Sequence, residues 1–99
     1  MARIVRKERV TELYEAILEL ETPEECRQFF EDLCSPVEIS AIEQRYAVAK
    51  LLTQDEVYLK ILDETKASTA TISRVNRVIT GGNGILQKVI EKVRKKHES

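Results

Sequence analysis

The chain has 99 residues, 42% of them apolar and 33% charged, and a formal net charge of −1. That length suits one small domain, residues 1–99, and the apolar content excludes a disordered chain. No apolar run is long enough to cross a bilayer, and the opening MARIVRKERV is charged without an apolar signal core, so a cytoplasmic protein is expected.

The first helix is predicted from Arg6 to about Glu21. Val10, Leu13, Tyr14, Ile17, Leu18 and Leu20 form an apolar stripe wide enough to pack against more than one neighbour, within the chain or across a dimer interface. Thr22-Pro23-Glu24-Glu25 supplies a complete helix start: a hydroxyl cap, proline where no amide hydrogen is needed, and a glutamate at the third position. The helix it opens is expected to bury Cys26, Phe29, Phe30 and Leu33. Ser35-Pro36-Val37-Glu38 repeats this grammar and opens a third helix reaching Leu51 or Leu52. Ile39, Ile42, Tyr46 and Ala49 follow its period. Arg45, beside Tyr46, reads as a surface residue paired with Glu38 or Glu43.

Thr53 followed by Glu56 reads as a capping box that opens a fourth helix, with Val57, Ile61 and Leu62 on its apolar side. A break is expected at Asp63-Glu64-Thr65-Lys66-Ala67, where short polar side chains compete for backbone hydrogen bonds. Ser68 then caps the next helix, TATISRVNRVI. A helix-turn-helix is thus expected at about residues 54–79. In its second helix Ile72, Val75 and Ile79 share one face, while Ala70, Ser73, Arg74 and Arg77 share the other. A slender, hydroxylated and then cationic face suits a duplex major groove, where arginines hold guanine or phosphate. An ordinary amphipathic helix with solvated arginines has the same wheel.

Thr80-Gly81-Gly82-Asn83-Gly84 stops that helix; with no preceding strand and no GK[ST] ending it is a connector, not a phosphate loop. A last helix runs from about Ile85 to Lys95. No segment alternates with period 2, so the fold class is all-α, with six helices.

Cys26 and Cys34 lack a second Cys/His pair for a zinc site and read as buried thiols. His97 is the sole histidine and lies in a charged tail. No nucleophile–base pair can be named, so neither a catalytic residue nor a metal ligand is assigned. The charge is unevenly spread. Residues 1–52 hold seven Lys/Arg against eleven Asp/Glu, a balance of −4, whereas from Thr65 onward there are eight against two, a balance of +6. A local phosphate-facing patch and a solvated basic tail both contribute to such a pattern.

Leu33-Cys34-Ser35-Pro36, Gln44-Arg45 with Leu51-Leu52, and above all Ala67-Ser68-Thr69-Ala70-Thr71-Ile72-Ser73-Arg74-Val75-Asn76-Arg77 resemble the Trp-repressor superfamily, and within it the YerC/YecD-type branch. The last motif, an ATI(T/S)R core at the start of a recognition helix, is the specific one. The likeness runs from about Leu13 to Val93. It implies an intertwined helical homodimer, operator DNA as ligand, and transcriptional control. It also implies Ser68, Thr69, Ala70, Ser73 and Arg77 as groove-facing residues, with Arg74 at the same surface and Lys66 as a phosphate contact. The family's L-tryptophan co-repressor lies between two arginines, matched by Arg45 and Arg74, with a hydroxyl residue matched by Ser35. Three departures stand out: Val75 replaces a glycine, Lys66 replaces the turn glycine, and the spacing from Arg45 to Leu51 is one residue shorter, which rotates Arg45 relative to the pocket. The leading expectation is a sequence-specific, repressor-like DNA-binding regulator, with tryptophan, another small co-repressor or no ligand. The alternative is a helical dimer whose helix-turn-helix serves protein–protein contact without DNA readout.

Overall fold

The computed structural model describes residues 10–98, which contain six helices and no strand. They are α1 (Thr11–Leu18), α2 (Pro23–Leu33), α3 (Pro36–Thr53), α4 (Tyr58–Thr65), α5 (Thr69–Gly81) and α6 (Ile85–Glu98). The expected residues 6–9 of the first helix lie outside the described residues. The chain divides into two compact units, one ending at Pro36 and one beginning at Val37.

The first unit holds α1 and α2. The start of α2 follows its sequence signature: the Thr22 hydroxyl accepts the Glu25 amide at 3.0 Å, and the Glu25 carboxylate accepts the Glu21 amide at 2.8 Å. The expected burial of its apolar face is not found. Neither helix has a buried residue; Cys26, Cys34, Phe29 and Phe30 are half-buried, and Leu33 is exposed. Helices of 8 and 11 residues are too short to enclose a core of their own.

The second unit, α3 to α6, has a core built from Val48 and Ala49 of α3, Ile61 of α4, Ala67 of the following turn, Ile72 and Val75 of α5, and Ile90 of α6. Leu51, Leu52, Leu62, Ile79 and Leu86 pack around it. Fully burying an aliphatic side chain such as Val48 or Ile61 stabilises by about 1.5–3 kcal/mol, so this cluster sets where α5 can lie.

The Thr53–Glu56 capping box does not form. α3 continues through Thr53, because Val48, Ala49, Leu51 and Leu52 keep feeding the core, and the Thr53 hydroxyl donates back to the Lys50 carbonyl at 2.7 Å. Asp55 turns the chain with a positive φ of 58°, and α4 starts only at Tyr58. Its N-cap, Val57, offers no side-chain bond, and Glu56 pairs instead with Lys60 at 3.2 Å. α6 is longer than expected, running on to Glu98, where Arg94 bridges Glu91 and Glu98.

Candidate nucleic-acid interface

The segment from α4 to α5 is a helix-turn-helix with a three-residue turn, Lys66 to Ala67 to Ser68. α4 persists through Thr65, so the break is narrower than the polar run 63–67 suggests. Lys66 closes α4 in the left-handed region (φ 58°, ψ 18°), its amide bonded to the Leu62 carbonyl at 3.0 Å. The Thr65 hydroxyl donates to the Ile61 carbonyl at 2.7 Å and accepts the Ala67 amide at 3.2 Å. Ala67 is buried and anchors the turn in the core. Ser68 caps α5 by accepting the Thr71 amide at 3.1 Å, and its oxygen also lies 3.1 Å from the Thr71 hydroxyl.

The two faces of α5 separate as helical spacing requires. Ile72 and Val75 are 3% and 5% exposed, whereas Ala70, Ser73, Arg74 and Arg77 are all exposed. Of the hydroxyl residues named as groove-facing, Ser68 is committed to capping. Thr69 and Ser73 are exposed, with no hydrogen bond of their own side chains within the described chain, and so can bond a partner.

Electrostatics set two of these arginines apart. Three other cations are held by glutamates three or four residues away: Arg27 by Glu24 and Glu31, Lys60 by Glu56 and Glu64, Arg94 by Glu91 and Glu98. Hydrogen bonds to these carboxylates are the main reason Arg27, Lys60 and Arg94 hold their protons more tightly than usual, and Arg94 holds the Glu91 carboxyl below its ordinary range. Thr65 to Ile90 contains no Asp or Glu at all. Arg74 and Arg77 accordingly form no ion pair among the described residues, and they line an open depression of about 410 Å³ with Val78, Gly81 and Gly82. Lys66 has only a loose contact with Asp63, at 3.5 Å between two exposed side chains.

Of the residues matched to a co-repressor, Ser35 immediately precedes α3, and Arg45 is exposed on α3. Arg45 forms no ion pair with Glu38 or Glu43, unlike the surface pairing expected for it. Arg74 is exposed on α5. Beside it the Val75 side chain belongs to the core, packed in the cluster with Val48, Ala49 and Ile72. A glycine here would leave that space open; the isopropyl group of Val75 fills it. Sequence reading also misses two glutamines: Gln44 donates to the Thr65 carbonyl at 3.0 Å, and Gln87 donates to the Ile79 carbonyl. No local pattern announces either contact.

Residues 8–94 match the family described as Trp repressor protein. The chain is 42% identical to the uncharacterized protein YerC of Bacillus subtilis (strain 168), over 91% of its own length and 86% of that protein's. Its structure is similar to the crystal structure of a Staphylococcus aureus protein proposed to be a Trp repressor, with 46% identity, a TM-score of 0.83 and coverage of 86% and 85% of the two chains. A TrpR like protein from Eubacterium eligens ATCC 27750 is comparably close, with 46% identity, a TM-score of 0.81 and coverage of 85% and 87%.

Proposed function

The chain belongs to the Trp repressor family, whose members are regulatory DNA-binding proteins and not enzymes, and from that premise we propose that it is a sequence-specific, repressor-like transcriptional regulator. It acts in the cytoplasm as a homodimer of one Trp-repressor-like domain, with both units of the chain contributing. Each α5 enters a major groove of operator DNA, and the two copies meet successive grooves about 34 Å apart. Lys66, Arg74 and Arg77 displace counterions from phosphates, while Thr69, Ala70 and Ser73 approach the base edges. Ser68 contributes by fixing the start of the helix. No described helix is long and apolar enough to cross a membrane.

One observation carries this reading: Ile72 and Val75 are buried while Ser73, Arg74 and Arg77 stand exposed in a stretch without a carboxylate. Site selection from random duplexes tests it and is expected to enrich a two-fold symmetric sequence. Arg77→Ala is then expected to weaken binding about tenfold and to lower the slope of log affinity against log salt by about one. Wild-type affinity in that variant would remove Arg77 from the interface.

A small co-repressor would meet Arg45 and Arg74, but L-tryptophan is disfavoured by Val75. A second reading, a protein-interaction dimer without DNA readout, is favoured by the exposed Val57, Tyr58 and Leu59 at the start of α4. Enrichment of no duplex would favour it.

A further inference from the structure

Two backbone carbonyls bracket α5, and helix geometry leaves both without a partner in their own helix. Thr65 is the last residue of α4, and Ile79 lies two residues before the end of α5 at Gly81. Each carbonyl is met by a glutamine from a neighbouring helix. Nε2 of Gln44 in α3 donates to Thr65 across 21 residues of sequence, and Nε2 of Gln87 in α6 donates to Ile79 across eight. Both bonds are partly buried. A carbonyl oxygen only accepts, so the amide nitrogen of each glutamine must be the atom that faces it.

The contrast with other carbonyls near helix ends is informative. Thr53 serves the Lys50 carbonyl and Thr80 serves the Asn76 carbonyl, each from within its own helix. Those bonds say nothing about where one helix lies against another. The glutamine bonds do, because each joins the helix-turn-helix to a different element, α3 before α5 and α6 after it. Gln87 keeps this bond although its Oε1 atom is buried with no partner, a penalty that an apolar side chain of similar shape would not carry. Apolar packing of Ile72 and Val75 fixes which face of α5 looks inward; a directional hydrogen bond adds a constraint on rotation and sliding of the helix.

We infer that Gln44 and Gln87 are positioning residues for DNA binding, a pair of amide clamps that fix the pose of α5 without touching the nucleic acid. The inference rests on the DNA-binding reading of α5. With both clamps closed, Thr69 and Ser73 meet base edges in one register. With a clamp open, the arginines still reach phosphates, so selective binding falls and non-specific binding persists.

The test compares Gln44→Met and Gln87→Met, which keep side-chain length and lose the donor, on the duplex enriched by site selection and on a scrambled duplex. Measurements are made below the melting temperature of every variant. Each substitution is expected to weaken binding to the selected duplex about fivefold and to leave the scrambled duplex and the salt slope unchanged. Gln44→Lys, which restores an N–H donor on a long side chain, is expected to recover most of the loss. In the free protein, hydrogen exchange should speed up at the Lys66 and Ala67 amides in Gln44→Met and at the Gly82 amide in Gln87→Met. Folded Met variants with wild-type exchange and wild-type selectivity would overturn the clamps while leaving the DNA reading intact. Equal losses on both duplexes would overturn them too, by making the glutamines merely structural. Failure of the wild-type protein to enrich any duplex would remove the DNA reading and this inference together.

Discussion

At residue 66 the backbone takes the left-handed turn that glycine accepts most readily, yet the side chain is lysine (φ 58°). A side chain with a Cβ costs about 1–2 kcal/mol there, of which the entropy of a glycine would return all but about 0.5–1 kcal/mol. Lys66→Gly is therefore expected to raise stability by about 0.5–1 kcal/mol in denaturant titration. The Asp63 contact it removes is too exposed to matter. The same substitution is expected to weaken DNA binding and to flatten its salt dependence, because a phosphate contact is lost. A protein gaining stability without losing DNA affinity would remove Lys66 from the interface. Val75 carries the other residue-scale consequence. Its side chain is built into the same core as Ala49, so isothermal calorimetry with millimolar L-tryptophan is expected to show no binding heat. Saturable heat, or tryptophan-dependent DNA binding, would show that the core reopens around residue 75.

Among the elements, α4, like α1, has an N-cap without a side-chain hydrogen bond. Val57 holds the extended conformation an N-cap needs (φ −70°, ψ 149°) and is exposed, but cannot accept an amide hydrogen. Val57→Asp is expected to stabilise the fold by about 1 kcal/mol through a side-chain cap and a favourable charge at the helix start, read as a rise in melting temperature. An unchanged or lower melting temperature would show that the Val57 side chain is covered by something in the assembled protein. The same element shows what the sequence makes legible. Thr22 and Ser68 announce α2 and α5 because each cap bonds an amide three residues away, a distance that sequence displays directly. Thr53 and Glu56 display the same spacing, but the packing of Leu51 and Leu52 prolongs α3 through Thr53 and decides against it. The facing of α5 is legible because Ile72, Val75 and Ile79 repeat with the helix. The Gln44 bond is not, since nothing near Gln44 in the sequence points to a carbonyl 21 residues on.

On the scale of the molecule, the two ends of the chain have opposite character. Residues 1–36 carry nine carboxylates against five Lys/Arg, a balance of −4, whereas the chain from Thr65 onward has a surplus of six positive charges. A polyanion is repelled by the first and drawn to the second, so a net charge of −1 conceals a strong preference for the α5 side. The acidic unit has a different deficit, apolar surface with nothing over it: Tyr14 and Leu33 are exposed, and Leu18 is 83% exposed. Two short helices that bury none of their residues within one chain gain stability when a second copy covers them, which is what the proposed homodimer supplies. The melting temperature is then expected to rise with protein concentration, and sedimentation equilibrium to give twice the chain mass of 11.4 kDa. Leu18→Glu decides the point. At a position that stays in water it changes stability by no more than about 0.5 kcal/mol. At one buried between copies it places a charge in an apolar contact and is expected to dissociate the dimer at micromolar concentration, with loss of DNA binding although α5 is unaltered. A Leu18→Glu protein that still sediments as a dimer would place the contact between copies elsewhere on the chain.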